Sequence, residues 1–501
     1  MKNGALAFAA GLVLAWGVGP QAFAGDVAQG EQLANTYCAA CHGPSGEGMG
    51  PNPSVAGMSE EYFVKTMQAF RAGERESATM GALSSGLTDE QFQDMAAFYA
   101  QFEPVAHEFR IDGPLHHVSA SVCQTCHEDI YRQWSGSMHA QSTALRDPIH
   151  ELMYRREVGD PRAEDQLHNR SQRFPVCLNC HAPNAAKDKV TKLDAKDAYA
   201  EGVNCVACHQ ISGYKGVRRA EGGLRLGIHA YETSPDTLQA ASGFPFDMTR
   251  DQQEGNPHLP TGELDTFGVA IPAALPLQNN PRMLRSSELC LGCHEFRPNP
   301  NGVPLCDTGS EIRESGTQVA CPSCHMPIAD GMANHSMGGG HDPAMIARAV
   351  KLFVDLEPNG DGVTANVVME TQLPHRMPTG APFRNIQVKV TALDATGNVL
   401  WQNFETHPME EDPKSFLFYQ LADDEGKPAM PPVATGVGVD TRLLPHERRV
   451  VSYEIPVQPA VVRAEMFYNL VFEHMKPQIM ELTDDEELLQ PRRVAFYEAH
   501  F

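Results

Sequence analysis

Apolar positions fall into differently patterned stretches along the chain. Ala5 to Val18 form a short apolar run behind Lys2 and ahead of Ala22-Phe23-Ala24. This order is expected of a cleaved signal peptide over residues 1–24, the run being shorter than the roughly 20 residues that cross a bilayer. From 25 to 104 the period is helical. A helix should lead into Cys38, followed by Gly43-Pro-Ser-Gly46-Glu-Gly48. Ser59-Glu-Glu opens a second helix with Phe63, Met67 and Phe70 on one face. Thr88-Asp-Glu-Gln91 reads as a capping box before Phe92, Met95, Ala96 and Tyr99, which recur at helical spacing.

From 105 to 348 long apolar runs are few and Pro, Gly and polar residues are frequent, so short helices and little sheet are expected. From 349 to 501 the pattern turns to alternation. Val350–Leu356 and Val363–Met369 flank the turn-rich Pro358–Gly362, and Ile386–Leu393 and Val399–Trp401 flank Ala395-Thr-Gly397-Asn. Phe416–Leu421, Val450–Ile455 and Val462–Phe472 add further strands, and the whole predicts an antiparallel β-sandwich.

Composition narrows the function. Of 501 residues 42% are hydrophobic, which is ordinary for a folded chain, and the net charge of −24 counts against nucleic acid. The 13 cysteines change the picture more, because 12 of them fall into six C-x-x-C-H segments. These are Cys38/Cys41/His42, Cys123/Cys126/His127, Cys177/Cys180/His181, Cys205/Cys208/His209, Cys290/Cys293/His294 and Cys321/Cys324/His325. The spacing is the attachment signature of c-type haem: two thiols on one turn add to the two vinyl groups, and the next residue turns its imidazole to the iron. Disulfides or zinc half-sites would not need a histidine after every pair. Six covalent haems c are therefore expected, and Cys306 is left as a partly buried free thiol.

Helix, haem motif, methionine and closing amphipathic helix in residues 25–104 resemble a class I monohaem cytochrome c. The resemblance implies that a methionine before the last helix ligates the iron opposite His42. Met80 holds that place, with Met49, Met58 and Met67 as alternatives. Cys123-Gln-Thr-Cys126-His127 followed by Trp134, Ser137 and His139 resembles the cytochrome c-552/c-554 type of multihaem protein. Cys321-Pro-Ser-Cys324-His325-Met-Pro327, with His335 and His341, resembles its closing part, and Leu373-Pro-His375-Arg-Met-Pro378 resembles a segment that often follows the haem region. The expected organisation is therefore a small mainly α monohaem domain, a loop-rich α pentahaem domain at 105–348, and a sandwich at 349–501.

The second domain needs further axial ligands. His139 and His335 sit in family-like places, His341, His117 and His375 come next, and His116, His229 and His258 stay open. His446, His474 and His500 are expected to be structural. Two histidines make an iron a low-spin relay, while Met in place of one His raises its potential, so the His/Met domain is the expected high-potential end. The leading function is electron transfer in the periplasm or outside the cell. The expected partners are donor and acceptor cytochromes or a quinol-linked membrane complex. A multihaem enzyme acting on small nitrogen or sulfur compounds at an open iron is the second reading, and a subunit of an extracellular cytochrome filament or other homo-oligomer is the third. Plain C-x-x-C-H in all six motifs, and more histidines than five haems need, favour the first. Asn359-Gly-Asp361-Gly lacks the later glutamate of a calcium loop and reads as a turn.

Overall fold

The computed structural model describes residues 25–48, 54–73, 77–102, 111, 113–241, 256–259, 273–329 and 331–501. The expected signal peptide and Met49 lie outside them. The chain forms two compact units, residues 1–110 with 247–273, and residues 111–246 with 274–501.

The first unit is helical. Helices Val27–Tyr37, Glu60–Ala72, Ala78–Ser85 and Asp89–Tyr99 start at Asp26, Ser59, Ser77 and Thr88, whose side chains accept backbone N–H groups of the first turn. The capping box forms in full, with Thr88 and Gln91 each bonding the other's backbone. Leu33, Phe63, Met67, Phe92, Met95 and Tyr99 make the core. The first and last helices cross closely because position 30 is glycine; a Cβ there would lie 2.0 Å from the carbonyl oxygen of Asp94.

In the second unit, the described residues from 113 to 241 and from 274 to 349 are loop-rich. Their helices run from four to ten residues, as in Asp197–Ala200 and Pro148–Glu157. Among the described residues, sheet here is confined to pairs of short strands such as Ile211–Tyr214 with Tyr231–Thr233. The core here is built from Ala144, Tyr154, Leu178, Ala182, Ala185, Leu193, Tyr199 and Ile228, among others.

The C-terminal part of the same unit is sheet-rich. Val350–Asn359, Gly362–Thr371 and Arg448–Ile455 form one antiparallel sheet with Gly362–Thr371 in the middle. A second contains Gly436–Asp440, Phe416–Ala422, Asn385–Leu393, Val461–Asn469 and Arg492–His500 in that order, with Val399–Gln402 paired to Asn385–Leu393. Both sheets feed one core, in which Val363, Ala365, Val367, Ile386, Val390, Val462 and Met466 are fully buried.

Helix Pro148–Glu157 joins the two parts of this unit. Ile149, Leu152 and Met153, at i, i+3 and i+4, pack on the sheet core, whereas Tyr154 belongs to the loop-rich core.

Candidate haem-binding sites

Each motif folds as a single turn. In the first three, the histidine N–H donates to the carbonyl of the first cysteine, His42 to Cys38 at 2.9 Å, His127 to Cys123 at 2.9 Å and His181 to Cys177 at 3.0 Å. That i to i+4 bond brings the cysteine and the imidazole to the same side of the turn. None of the thirteen cysteines is in a disulfide. In Cys290-Leu-Gly-Cys293 the glycine is dictated by a neighbour, because a Cβ at position 292 would lie 2.3 Å from the ring of Tyr231. The Tyr231 hydroxyl accepts from the Gly292 N–H at 2.8 Å and donates to the Leu289 carbonyl at 2.7 Å, bracing that turn.

In the second unit the histidines divide by which ring nitrogen is engaged. Nδ1 lies on a backbone carbonyl in His181 (Ser142, 3.0 Å), His209 (Gln239, 2.7 Å), His325 (Gly338, 2.6 Å), His335 (Ala333, 2.8 Å) and His375 (Arg376, 3.0 Å). A carbonyl only accepts, so Nδ1 carries the proton and a neutral ring is left with its lone pair on Nε2. This is the arrangement that orients a metal-binding imidazole.

Two ring pairs are spaced for an ion between them. The centroids of His139 and His294 are 6.1 Å apart with rings crossed at 82°, and those of His209 and His335 are 6.5 Å apart with rings at 18°. With nitrogen–metal bonds of about 2 Å on both faces, two imidazole centres stand about 6 Å apart. His139 is enclosed, its Nδ1 has no hydrogen-bond partner, and burial, with His294 and His325 close by, pulls its pKa down to about 4. It is therefore uncharged at neutral pH and free to ligate. The donor set thus fits haem c: paired thiols on a turn, a proximal imidazole, and in two cases a second imidazole at axial spacing.

Residues 27–102 match the family model described as cytochrome c, and residues 122–210 match cytochrome c554 and c-prime. Over 84 residues the chain is 40% identical to cytochrome c-554(548) of Halomonas halodenitrificans, covering 100% of that protein and 16% of this chain. It is 42% identical over 77 residues to cytochrome c4 of Thiocapsa roseopersicina, covering 40% of that protein and 15% of this chain. The crystal structure of a penta-haem cytochrome c552 from Thermochromatium tepidum superposes with a TM-score of 0.71 at 53% identity, covering 100% of that chain and 77% of this one. The chain belongs to the multihaem c-type cytochromes. Its N-terminal part is a cytochrome c domain.

The thiols of this cytochrome show which motifs are neighbours. Cys123 meets Cys205, Cys180 meets Cys293 and Cys290 meets Cys321. The motifs at Cys290 and Cys321 are adjacent in sequence and meet through their thiols. Cys180 and Cys205 belong to adjacent motifs too, yet each finds its thiol partner in a motif that is not its neighbour in sequence. Spacing along the sequence does not record these meetings.

The other expected ligands are placed as follows. Met80 stands in the first turn of helix Ala78–Ser85, half-buried against the core, and its N–H bonds the Ser77 hydroxyl at 3.2 Å. Met58 is half-buried and Met67 is a core residue. Burial lowers the pKa of His375, with His325 adding to the effect. Burial also lowers that of His341 to about 3, aided by Arg384 and Arg492. His117 differs: its Nε2 lies 2.5 Å from Asp188 and 3.1 Å from the Tyr199 hydroxyl, so the nitrogen that would meet an iron is engaged elsewhere. His116 shares that carboxylate at 2.8 Å. Burial lowers the pKa of His229. Of the histidines expected to be structural, His474 stacks on Phe472 and His500 lies in the last strand. Trp134, quoted for the family resemblance, is buried and donates from its indole to the Val203 carbonyl at 2.9 Å. Cys306 is a half-buried thiol in strand Pro304–Cys306.

Sequence reasoning overlooked His150. It is buried on helix Pro148–Glu157, its ring centre 4.1 Å from that of His181, and its Nδ1 lies on the same Ser142 carbonyl at 2.8 Å. Its Nε2 has no partner, and burial lowers its pKa to about 4. It belongs to no motif and repeats no spacing, so only its position on the inward side of that helix reveals it.

Proposed function

We propose that this cytochrome carries six haems c, bound through the twelve motif cysteines, and relays electrons between redox proteins in the periplasm. The observation that carries this reading is the shared Nδ1-to-carbonyl bond of the enclosed histidines, together with two imidazole pairs at axial spacing. When bound, each haem iron supplies a one-electron ferric/ferrous couple whose potential its axial ligands set. The chain supplies His42, His127, His181, His209, His294 and His325 on one side. On the other it supplies Met80 to the first iron, His139 opposite His294, His335 opposite His209, and His375 to the iron held by His325. His341 and His150 remain to serve the others. The carbonyl partners of His150, His181, His209, His325, His335 and His375 hold these rings fixed, so little reorganises when an electron passes.

In this reading residues 25–104 form the His/Met, high-potential end, 105–348 hold five haems, and 349–501 cap them as a β-sandwich. The apolar leader over residues 1–24 supports export, and among the described residues no helix is long and apolar enough to cross a membrane. The strong negative charge supports small redox partners with a basic docking face.

The test is an EPR spectrum of the oxidised protein with CO added to the reduced form. Low-spin signals throughout and an unchanged optical spectrum are expected. A high-spin, CO-binding iron would overturn the pure relay in favour of an enzyme with an open site. Potentiometry of wild type and Met80→Ala should show the highest potential disappearing in the variant; an unchanged highest potential would refute the His/Met assignment.

A further inference from the structure

His116, His117, Asp188 and Tyr199 form a polar cluster that haem ligation leaves unused. The Nε2 atoms of the two histidines face the two oxygens of Asp188, His116 at 2.8 Å and His117 at 2.5 Å. The Tyr199 hydroxyl lies 3.1 Å from His117 Nε2 and donates to the same carboxylate. The ligating atoms of His116, His117 and Asp188 all lie within 4.8 Å of one another. The side chains of His116, His117 and Asp188 are 16%, 24% and 30% exposed, so solvent reaches the cluster without flooding it.

The convergence is unusual for this backbone. His116 and His117 are consecutive in the 3-10 turn Leu115–His117, where neighbouring side chains splay by about a third of a turn. Here both rings swing to one carboxylate, their centres 4.6 Å apart and crossed at 73°. Donor atoms around a small divalent ion at about 2.0–2.2 Å stand about 3 Å from their neighbours; the nitrogens lie 2.8 and 2.5 Å from the carboxylate oxygens and all the ligating atoms fall within 4.8 Å, so small shifts admit an ion. The nitrogen presented also differs: here Nε2 meets the carboxylate, whereas His181, His209, His325, His335 and His375 face carbonyls with Nδ1.

We propose that His116 Nε2, His117 Nε2 and the Asp188 carboxylate bind one divalent first-row transition-metal ion, with Tyr199 aiming the carboxylate. Two imidazoles and one carboxylate suit zinc or its neighbours, whereas calcium and magnesium take oxygen donors. The remaining coordination positions face solvent and take water. The site joins three segments that each adjoin a haem motif. Leu115–His117 precedes helix Ala120–Gln124 with Cys123, Asp188 ends helix Pro183–Asp188 after His181, and Tyr199 lies in Asp197–Ala200 before Cys205. An ion here pins these segments together.

The experiment uses the tag-free, haem-loaded full chain, stripped with a chelator and titrated with zinc by calorimetry, with metal content measured after gel filtration. One equivalent of zinc is expected for wild type. His116→Ala and Asp188→Asn should each bind it at least about 100-fold more weakly while keeping the wild-type haem spectrum. Absence of saturable binding by wild type, or equal binding by wild type and both variants, overturns the site and leaves the cluster a hydrogen-bonded brace. Should one variant lose its haem spectrum, the other, with His117→Gln, decides.

Discussion

The N-terminal helical unit and the loop-rich stretch that follows solve the same problem in opposite ways. The first surrounds one motif with helices of 8 to 13 residues and a core of large side chains, Phe63, Phe92, Met95 and Tyr99 among them. The second has five motifs, helices of ten residues or fewer, and a core in which Ala144, Ala182, Ala185 and Ala186 take many of the positions. A chain whose longer helices pack on one another can define a fold around a single prosthetic group. A chain of short turns and alanines depends on cross-links made through its cysteines and histidines, because short helices are marginal by themselves.

The largest test of this contrast removes a thioether. Cys293→Ala should reduce the haem content from six to five by pyridine haemochrome assay and make the second unit sensitive to protease. Cys41→Ala should remove one haem while leaving the second unit resistant. Equal protease sensitivity in both variants would break the comparison.

A smaller effect should come from the polar tie between helix Thr308–Ser315 and the sheets. Glu311 is buried, receives Arg442 at 2.9 Å and Thr379 at 2.6 Å, and accepts the Arg376 N–H at 3.2 Å. Arg442→Ala strands that carboxylate and should destabilise the second unit by about 3–5 kcal/mol in chemical denaturation. A loss below about 1 kcal/mol would mean that haem attachment alone holds this region to the sheets.

Asp147 caps the helix that carries His150, and burial raises its pKa to about 6 despite N–H donation from Ile149 and His150. The folded state therefore holds a proton that the unfolded chain releases, and stability falls as pH rises from about 4 to about 6. Asp147→Asn keeps a capping oxygen and removes the ionisation. It should stabilise the protein by up to about 2 kcal/mol at pH 7, a gain that vanishes towards pH 4 in thermal melts. A pH-independent difference would contradict this.

The smallest effect belongs to the self-sufficient unit. Thr88→Ala removes one half of its capping box and should cost about 1 kcal/mol in a thermal melt. A loss above about 3 kcal/mol would show that this unit is as fragile as the loop-rich one.

Much of this was legible along the chain. Strands expected at Val350–Leu356 and Val363–Met369 appear as Val350–Asn359 and Gly362–Thr371, since one-sided burial imposes a period of two. Strands Gly436–Asp440 and Arg492–His500 were not foreseen. The first is largely exposed and the second buries only Val494, so neither needs alternation and neither displays it. The polar face of His116 and His117 was equally silent, because Asp188 and Tyr199 are remote in sequence.

By itself the sequence determined the six C-x-x-C-H motifs, the helical character of the N-terminal unit and the alternating strands near the C-terminus. Each depends on bonds or periodicities within a few residues. Only the tertiary structure decided that His139 stands opposite His294 and His335 opposite His209, that Cys180 neighbours Cys293, and that His150 turns inward beside His181. Those are meetings between segments far apart along the chain, set by how loops close over one another, and no local spacing encodes them.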